Sequence, residues 1–376
     1  MNMKPFDIKT IPVNYFFSEP LYIDDEFVLA SQEMPFTEEF RNALTEWQFD
    51  TVQSNGEPQA SYQEDSQQAK KKDKQFFLND STKLAEAKVY YTNFQHFAND
   101  IFTRAANKNR ISYETVAEKI REVCEEIKNN RRFLLQIQKD VSSDDDFLAA
   151  HAVKSTIISI IIGNYLKLPA HRLIELGVAA LMHEIGMVKL PSNIIQTKTE
   201  LSQKDRATLM LHPMIGFEML KSFGFPMSIN AATLEHHERE NASGYPHKLT
   251  GDKIGLYGKI IAVACSYEAI TSKRPHKDAR DGYEGITDLL RNDGKQYDEA
   301  IVRALVFSLS IYPIGQFVML SNGSKGHVVD INPSDPRFPV VQLLDEKTPD
   351  GQNKIIETSP TGIYIRAPLA NEDIET

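Results

Sequence analysis

Residues 147–166, FLAAHAVKSTIISIIIGNYL, are apolar almost all the way round a helical wheel, so no face is left for water. Such a helix has to be surrounded by others, and the chain must build a bundle about it. The sequence that follows supplies the neighbours. AHRLIELGVAALMHEIG, LSQKDRATLMLHPMIGFEMLKSFG, SINAATLEHHERE and LYGKIIAVACSYEAITS all read as helices. Ser202 and Asp205 resemble a capping box at the start of the second of these. The longest apolar run, TIISIIIGNYL, is too short to span a bilayer, so no membrane span is expected.

Histidines gather in the same stretch. The chain has 10 in all, and five of them, His151, His183, His212, His236 and His237, fall in or at the ends of these helices. One histidine at a helix end has an ordinary explanation: His183 caps the last carbonyls while Gly186 takes a left-handed C-cap position. Five that could converge, with Glu184 beside the second, suit a metal better. Imidazole with carboxylate is the donor set of Zn, Fe or Mn. His236 and His237 point about 100° apart on a helix, so both reach one ion only from near its end.

The rest of the chain is organised around that domain. Residues 1–52 read as a small α+β region, with strands in LYIDDEFVLAS turning at Asp24 and Asp25, and a helix in 35–49 capped by Thr37. Phe40, Leu44 and Trp47 share one face of that helix. Residues 53–80 are polar and read as a linker or exposed loop. Residues 81–139 hold two amphipathic helices, the first after Ser81 as cap, with Leu84, Ala87, Tyr91, Phe94, Ala98 and Ile101 in register. Val116, Ile120, Val123 and Ile127 line the second. This hairpin or stalk either forms a homodimer or packs on the next domain, and heptad spacing over so few turns leaves both open. From 312 the period changes to two, with a hairpin at Asn322-Gly323 and a strand in VVQLL, so residues 312–376 are a small β module and tail.

A net charge of −10 argues against a general nucleic-acid surface, while leaving room for a local basic pocket for a small phosphate ligand. Two cysteines, Cys124 and Cys265, far apart, fit a reducing compartment. The amino terminus MNMKPFDIKTIPVNYFF lacks the apolar core of a secretory signal, and a cytoplasmic location is expected.

The series His…HEIG…H…HHE…SGYP…AITSKRPHK, with VKLPSNII and LHPMIGFEML, resembles the HD-GYP domain over about residues 145–311. The resemblance implies a mainly α fold, the HD-GYP helical bundle over 140–311, and metal-dependent hydrolysis of the second messenger cyclic di-GMP. It implies that the first histidine is His151, the HD pair His183 and Glu184, the next histidine His212, and the HH pair His236 and His237. One metal position would use His151, His183, Glu184 and Cys265, the other Glu184, His212, His236 and His237. His183 and Glu184 would be catalytic. Gly244, Tyr245 and Pro246, the intact GYP motif, would border the nucleotide or a signalling partner, and Arg274 and Lys277 would face its phosphates. The β module YPIGQFVMLSNGSKGHVVDINP is similar to the piece that often follows this domain.

The chain departs from the family pattern at chosen places. Glu184 stands for the aspartate of the HD pair, Cys265 for the late aspartate ligand, and Met187 for the lysine after HDIG. Phe147 stands where members with three metals carry a glutamate, and ENAS where most carry WDGS. One or two transition-metal ions and bound cyclic di-GMP are expected, with hydrolysis weak or lost. A fully active phosphodiesterase and a dead sensor for a protein partner are the alternatives.

Overall fold

A computed structural model describes residues 3–22, 28–30, 34–46, 49–60, 66–137, 147–195, 202–272, 280–292, 294–349 and 351–369. The chain divides into two compact units, residues 1–81 and 82–376.

In the first unit, β1 (Lys4–Asp7), β3 (Leu21–Tyr22), β4 (Val28–Ala30) and β5 (Thr51–Ser54) form an antiparallel sheet in the order β1-β5-β3-β4, and β2 (Phe16–Phe17) pairs with β6 (Pro58–Gln59). Helix α1 (Glu38–Glu46) begins where Thr37 Oγ1 accepts from the Phe40 amide at 3.2 Å. Ile8, Ile11, Phe17, Phe36, Leu44 and Val52 make the core. Asp24, Asp25 and Trp47 lie outside the described residues. The polar segment from residue 53 is not a plain linker. β5 and β6 occupy its start, and α2 (Ser66–Ala106) begins well before Ser81 and passes through it. Backbone pairing and good helix formers (Gln, Lys, Ala) build structure there that hydrophobic pattern does not announce.

The second unit is a helical bundle. α2 and α3 (Tyr113–Ile137, kinked at Asn130) place Tyr91, Phe94, Ile101, Val116, Ile120 and Val123 in the same core as the helices that follow. The stripe that could have served a homodimer is therefore covered within one chain. Helix α4 (Phe147–Tyr165) runs through the middle. It is apolar enough to cross a membrane, but 83% of it is buried inside the protein. β-Branched isoleucine lowers helix propensity by at most about 0.7 kcal/mol per residue. Burying each of Ile157, Ile158, Ile160, Ile161 and Ile162 contributes about 1.5–3 kcal/mol, so packing decides in favour of the helix.

After α4 come α5 (Ala170–Met182), α6 (Ser192–Ile195), α7 (Gln203–Leu209), α8 (His212–Phe223), α9 (Met227–Glu235), α10 (Leu256–Thr271), α11 (Gly282–Arg291) and α12 (Glu299–Leu309), and α3, α5, α10 and α12 pack directly on α4. Ser202 does cap α7, accepting from the Asp205 amide at 3.1 Å. The helix expected to run unbroken from there to Gly224 is instead two, α7 and α8, parted at Met210 and Leu211. Pro213 cannot donate to a preceding turn, so the helix restarts with His212 as its first residue.

The carboxyl-terminal strands β7 (Phe317–Leu320), β8 (Lys325–Asp330), β9 (Val340–Lys347), β10 (Asn353–Glu357) and β11 (Ile365–Pro368) form an antiparallel sheet ordered β10-β9-β8-β7-β11. Gly323, at φ +88°, turns the first hairpin, and Val318, Leu320, Val328, Val341 and Leu343 fill its core.

Candidate metal centre

Helix α5 ends at Met182, and the chain continues as a 3₁₀ turn, Ile185–Lys189. Gly186 is not in the left-handed region expected of a C-cap; the need for glycine there is one of space. A Cβ on it would stand 2.0 Å from the His212 carbonyl oxygen. That close approach seats the His183-Glu184 pair against the first turn of α8.

The same device aims three histidines. His183 Nδ1–H donates to the Ala180 carbonyl at 2.6 Å, His212 to Leu209 at 2.7 Å, and His236 to Thr233 at 2.7 Å. A carbonyl can only accept, so Nδ1 carries a proton and Nε2 is the nitrogen left to point inward. His183 thus does cap its own helix, and the capping is what frees the other nitrogen. His151, on α4, is held differently: its Nδ1 faces Glu268 Oε2 at 2.5 Å. His237 is steadied by the Tyr245 ring, stacked on it at 4.5 Å between centroids.

The freed atoms converge in two groups. Nε2 of His151 and of His183 are 3.2 Å apart, and Cys265 Sγ is 3.2 Å from His183 Nε2. Nε2 of His212 and of His236 are also 3.2 Å apart. Glu184 lies between the groups. Its Oε2 is 3.2 Å from His212 Nε2, and its Oε1 is 3.8 and 3.9 Å from Nε2 of His151 and His183. Within each set, Glu184–His212–His236–His237 and His151–His183–Cys265, the donor atoms lie within 4.8 Å of one another. All of these residues except His237 are buried.

This donor set fits metal ions. Two bare imidazole lone pairs repel at 3.2 Å unless a proton or a cation lies between them. Two nitrogens bound to one tetrahedral ion at 2.0–2.1 Å would stand about 3.3 Å apart. Glu184 Oε2 is buried and accepts no hydrogen bond, an unmet demand that a cation answers.

Charges follow the same division. Burial, then the neighbouring imidazoles, pushes His236 and His237 well below the ordinary histidine value, so both are neutral. Burial also opposes charge on His151, yet the Glu268 carboxylate holds its pKa up at about 10. Burial would raise Cys265, but His183 and His151 outweigh it and bring the thiol down to about 6. Burial would likewise raise Glu184; His212, His183, His151 and His237 instead hold it at about 2.

The GYP loop folds back on this centre. Gly244 has to be glycine, since a Cβ would meet Glu238 Cα and the His237 carbonyl oxygen at 2.5 Å. The Tyr245 amide donates to the His237 carbonyl at 3.2 Å, and the Tyr245–Pro246 peptide is cis. Glu238, which is buried, accepts from the His247 and Leu249 amides at 2.6 and 2.8 Å. In the ENAS segment, Asn241 Oδ1 accepts from the Ser243 amide at 3.1 Å and keeps the turn. Met187 has no cationic stand-in in Lys189, whose ammonium donates to the Ala105 and Ala106 carbonyls at the end of α2. Phe147 stacks on His151. Arg274 and Lys277 lie outside the described residues.

Sequence reasoning missed Glu268 and Glu238. Glu268 follows Cys265 by three residues, one helical turn, and so shares its face of α10; that spacing is a signal that could have found it. Glu238 next to the histidine pair has no comparable signal, because its partners are backbone amides.

A helical bundle with imidazoles and a carboxylate at its centre defines the class, and residues 136–301 match the HD domain family. Within that class, this domain belongs to the HD-GYP family, as its curated relatives do. The cyclic di-GMP phosphodiesterase PdeB of Borreliella burgdorferi is 26% identical over 225 residues, 60% of this chain and 58% of the relative. The cyclic di-GMP phosphodiesterase PA4108 of Pseudomonas aeruginosa is 31% identical over 191 residues, 50% of this chain and 46% of the relative. The chain spans about half the length of the curated relatives it matches. In fold it is similar to Bd1817, a HDG"Y"P protein from Bdellovibrio bacteriovorus, with a TM-score of 0.50 and 14% identity over 81% of this chain and 98% of that one.

Proposed function

We propose that this protein is a metal-loaded receptor for cyclic di-GMP that hydrolyses the nucleotide slowly. One observation carries the reading: Glu184 turns one carboxylate oxygen toward each of two donor sets. That is an arrangement able to hold two neighbouring ions, as a two-metal phosphodiesterase centre uses. When bound, the metals would supply Lewis acidity and an activated water for in-line attack on a phosphodiester. The chain's own residues do the rest. Glu184 and the five histidines hold the two positions, and the Tyr245 loop walls the centre beside His237. Arg274 and Lys277 are proposed to engage the phosphates.

Slow turnover follows from Met187. A preorganised cation beside a transferring phosphoryl group is often worth about 3–4 kcal/mol, roughly a hundredfold or more in rate. Lys189, tied to the end of α2, does not take that place.

The test is cyclic di-GMP binding by calorimetry, alongside product analysis after incubation with Mn, Fe or Zn. Binding with turnover well below a cyclic di-GMP phosphodiesterase that has the lysine supports the reading. Fast turnover by the unmodified protein overturns the slow-hydrolysis part. Failure to bind the nucleotide overturns the whole and points to a protein partner.

A further inference from the structure

The two donor sets differ in chemistry. One offers a carboxylate oxygen and three imidazole nitrogens, from Glu184, His212, His236 and His237; the other offers two nitrogens and a sulfur, from His151, His183 and Cys265. We infer that the centre holds an unlike metal pair, with zinc at the Cys265 position and a harder ion, Mn or Fe, at the His236–His237 position. This deepens the metal-centre reading and rests on it.

Donor softness is the first reason. Thiolate selects Zn over Mn, whereas carboxylate with imidazole accepts Fe and Mn readily. Geometry is the second. Zinc bonds of about 2.3 Å to sulfur and 2.0–2.1 Å to nitrogen put S and N about 3.5 Å apart on a tetrahedral ion, and Cys265 Sγ and His183 Nε2 are already 3.2 Å apart. Glu184 Oε1, facing His151 and His183, is in place as a fourth donor.

The support behind the ligands points the same way. Glu268, nearly fully buried, holds Nδ1 of His151, the carboxylate–histidine arrangement that backs zinc ligands and raises their basicity. The position is enclosed, with His183 completely buried. An ion there would exchange slowly.

Cobalt(II) tests this in the intact chain. Metal-free protein titrated with Co(II) should develop a sulfur-to-cobalt charge-transfer band in the near ultraviolet, complete by two equivalents. Adding Zn should abolish the band, and adding Mn should not. Cys265→Asp should lose the band and shift the retained metal from mixed Zn and Mn toward Mn alone. Cys124→Ser should leave the band unchanged, and Glu268→Gln should keep it but weaken cobalt affinity at least tenfold. Should Cys265→Asp fold poorly, wild type and Glu268→Gln still decide the matter. A cobalt-loaded wild type without the band, or Mn displacing cobalt from sulfur as readily as Zn, would overturn the proposal. None of these readouts depends on nucleotide, so a protein that shows the band yet ignores cyclic di-GMP refutes only the functional reading above.

Discussion

The Tyr245 ring lies almost parallel to that of His237, 23° between planes and 4.5 Å between centroids. The GYP motif is thereby joined to a metal-ligand candidate by direct contact. Groups that orient metal ligands are typically worth about 10–100-fold in affinity. Tyr245→Ala should weaken metal binding at the Glu184–His212–His236–His237 set by about tenfold, whereas Tyr245→Phe, which keeps the stack, should not. Chelator competition measures both, and equal affinities for all three proteins would show that the stack does not support His237.

Gly186 leaves no room for a side chain. A Cβ at this position would clash with the His212 carbonyl and force the 3₁₀ turn away from α8. Overpacking of this kind costs about 1–3 kcal/mol, so Gly186→Ala should lower the urea midpoint accordingly. It should also reduce metal content, because the shift separates Glu184 from His212. Lost stability with full metal retained would mean that the spacing tolerates the displacement.

Metal loading should depend on pH unequally. Glu268 keeps His151 protonated up to about 10, and a metal has to displace that proton. Raising the proton concentration therefore opposes binding at the His151–His183–Cys265 position. His236 and His237, held well below the ordinary value, are already neutral and release nothing. Metal content after equilibration should fall from two ions per chain at about pH 8 toward one at about pH 6, with the Cys265 position emptied first. Simultaneous loss of both ions would contradict the division.

Restoring the missing cation should speed hydrolysis. Met187→Lys is expected to raise kcat for cyclic di-GMP about tenfold or more, with little change in nucleotide affinity. Adding Cys265→Asp and Glu184→Asp should raise it further. These changes act on one transition state, so their effects need not multiply. A kcat that stays flat across the series would remove charge placement as the cause of slow turnover.

Glu238 offers a separate handle on the loop. Its carboxylate accepts from two backbone amides, and bonds to a charged group are worth about 1.5–3 kcal/mol each. Glu238→Ala should free residues 247–249 and weaken cyclic di-GMP binding while metal content holds. Thermal melts and calorimetry would separate this from unfolding.

Much of the design could be read along the chain. The all-round apolar pattern of 147–166 demands burial in any environment, so it announces a bundle without help from elsewhere. The strand pattern after residue 312 follows from a period of two and a turn at Asn322-Gly323, both local. The five histidines and Glu184 stand at recognisable spacings, and their division into two sets came with the family resemblance. Tertiary structure decided the rest, because the deciding partners are distant in sequence. Glu268 meets His151 across 117 positions, and Lys189 spends its charge on carbonyls more than 80 residues away. The break before His212, the 3₁₀ turn through Gly186 and the burial of the α2–α3 stripe depend on what each segment packs against. Local pattern sets which residues must be hidden or can bind; only packing sets which atoms they meet.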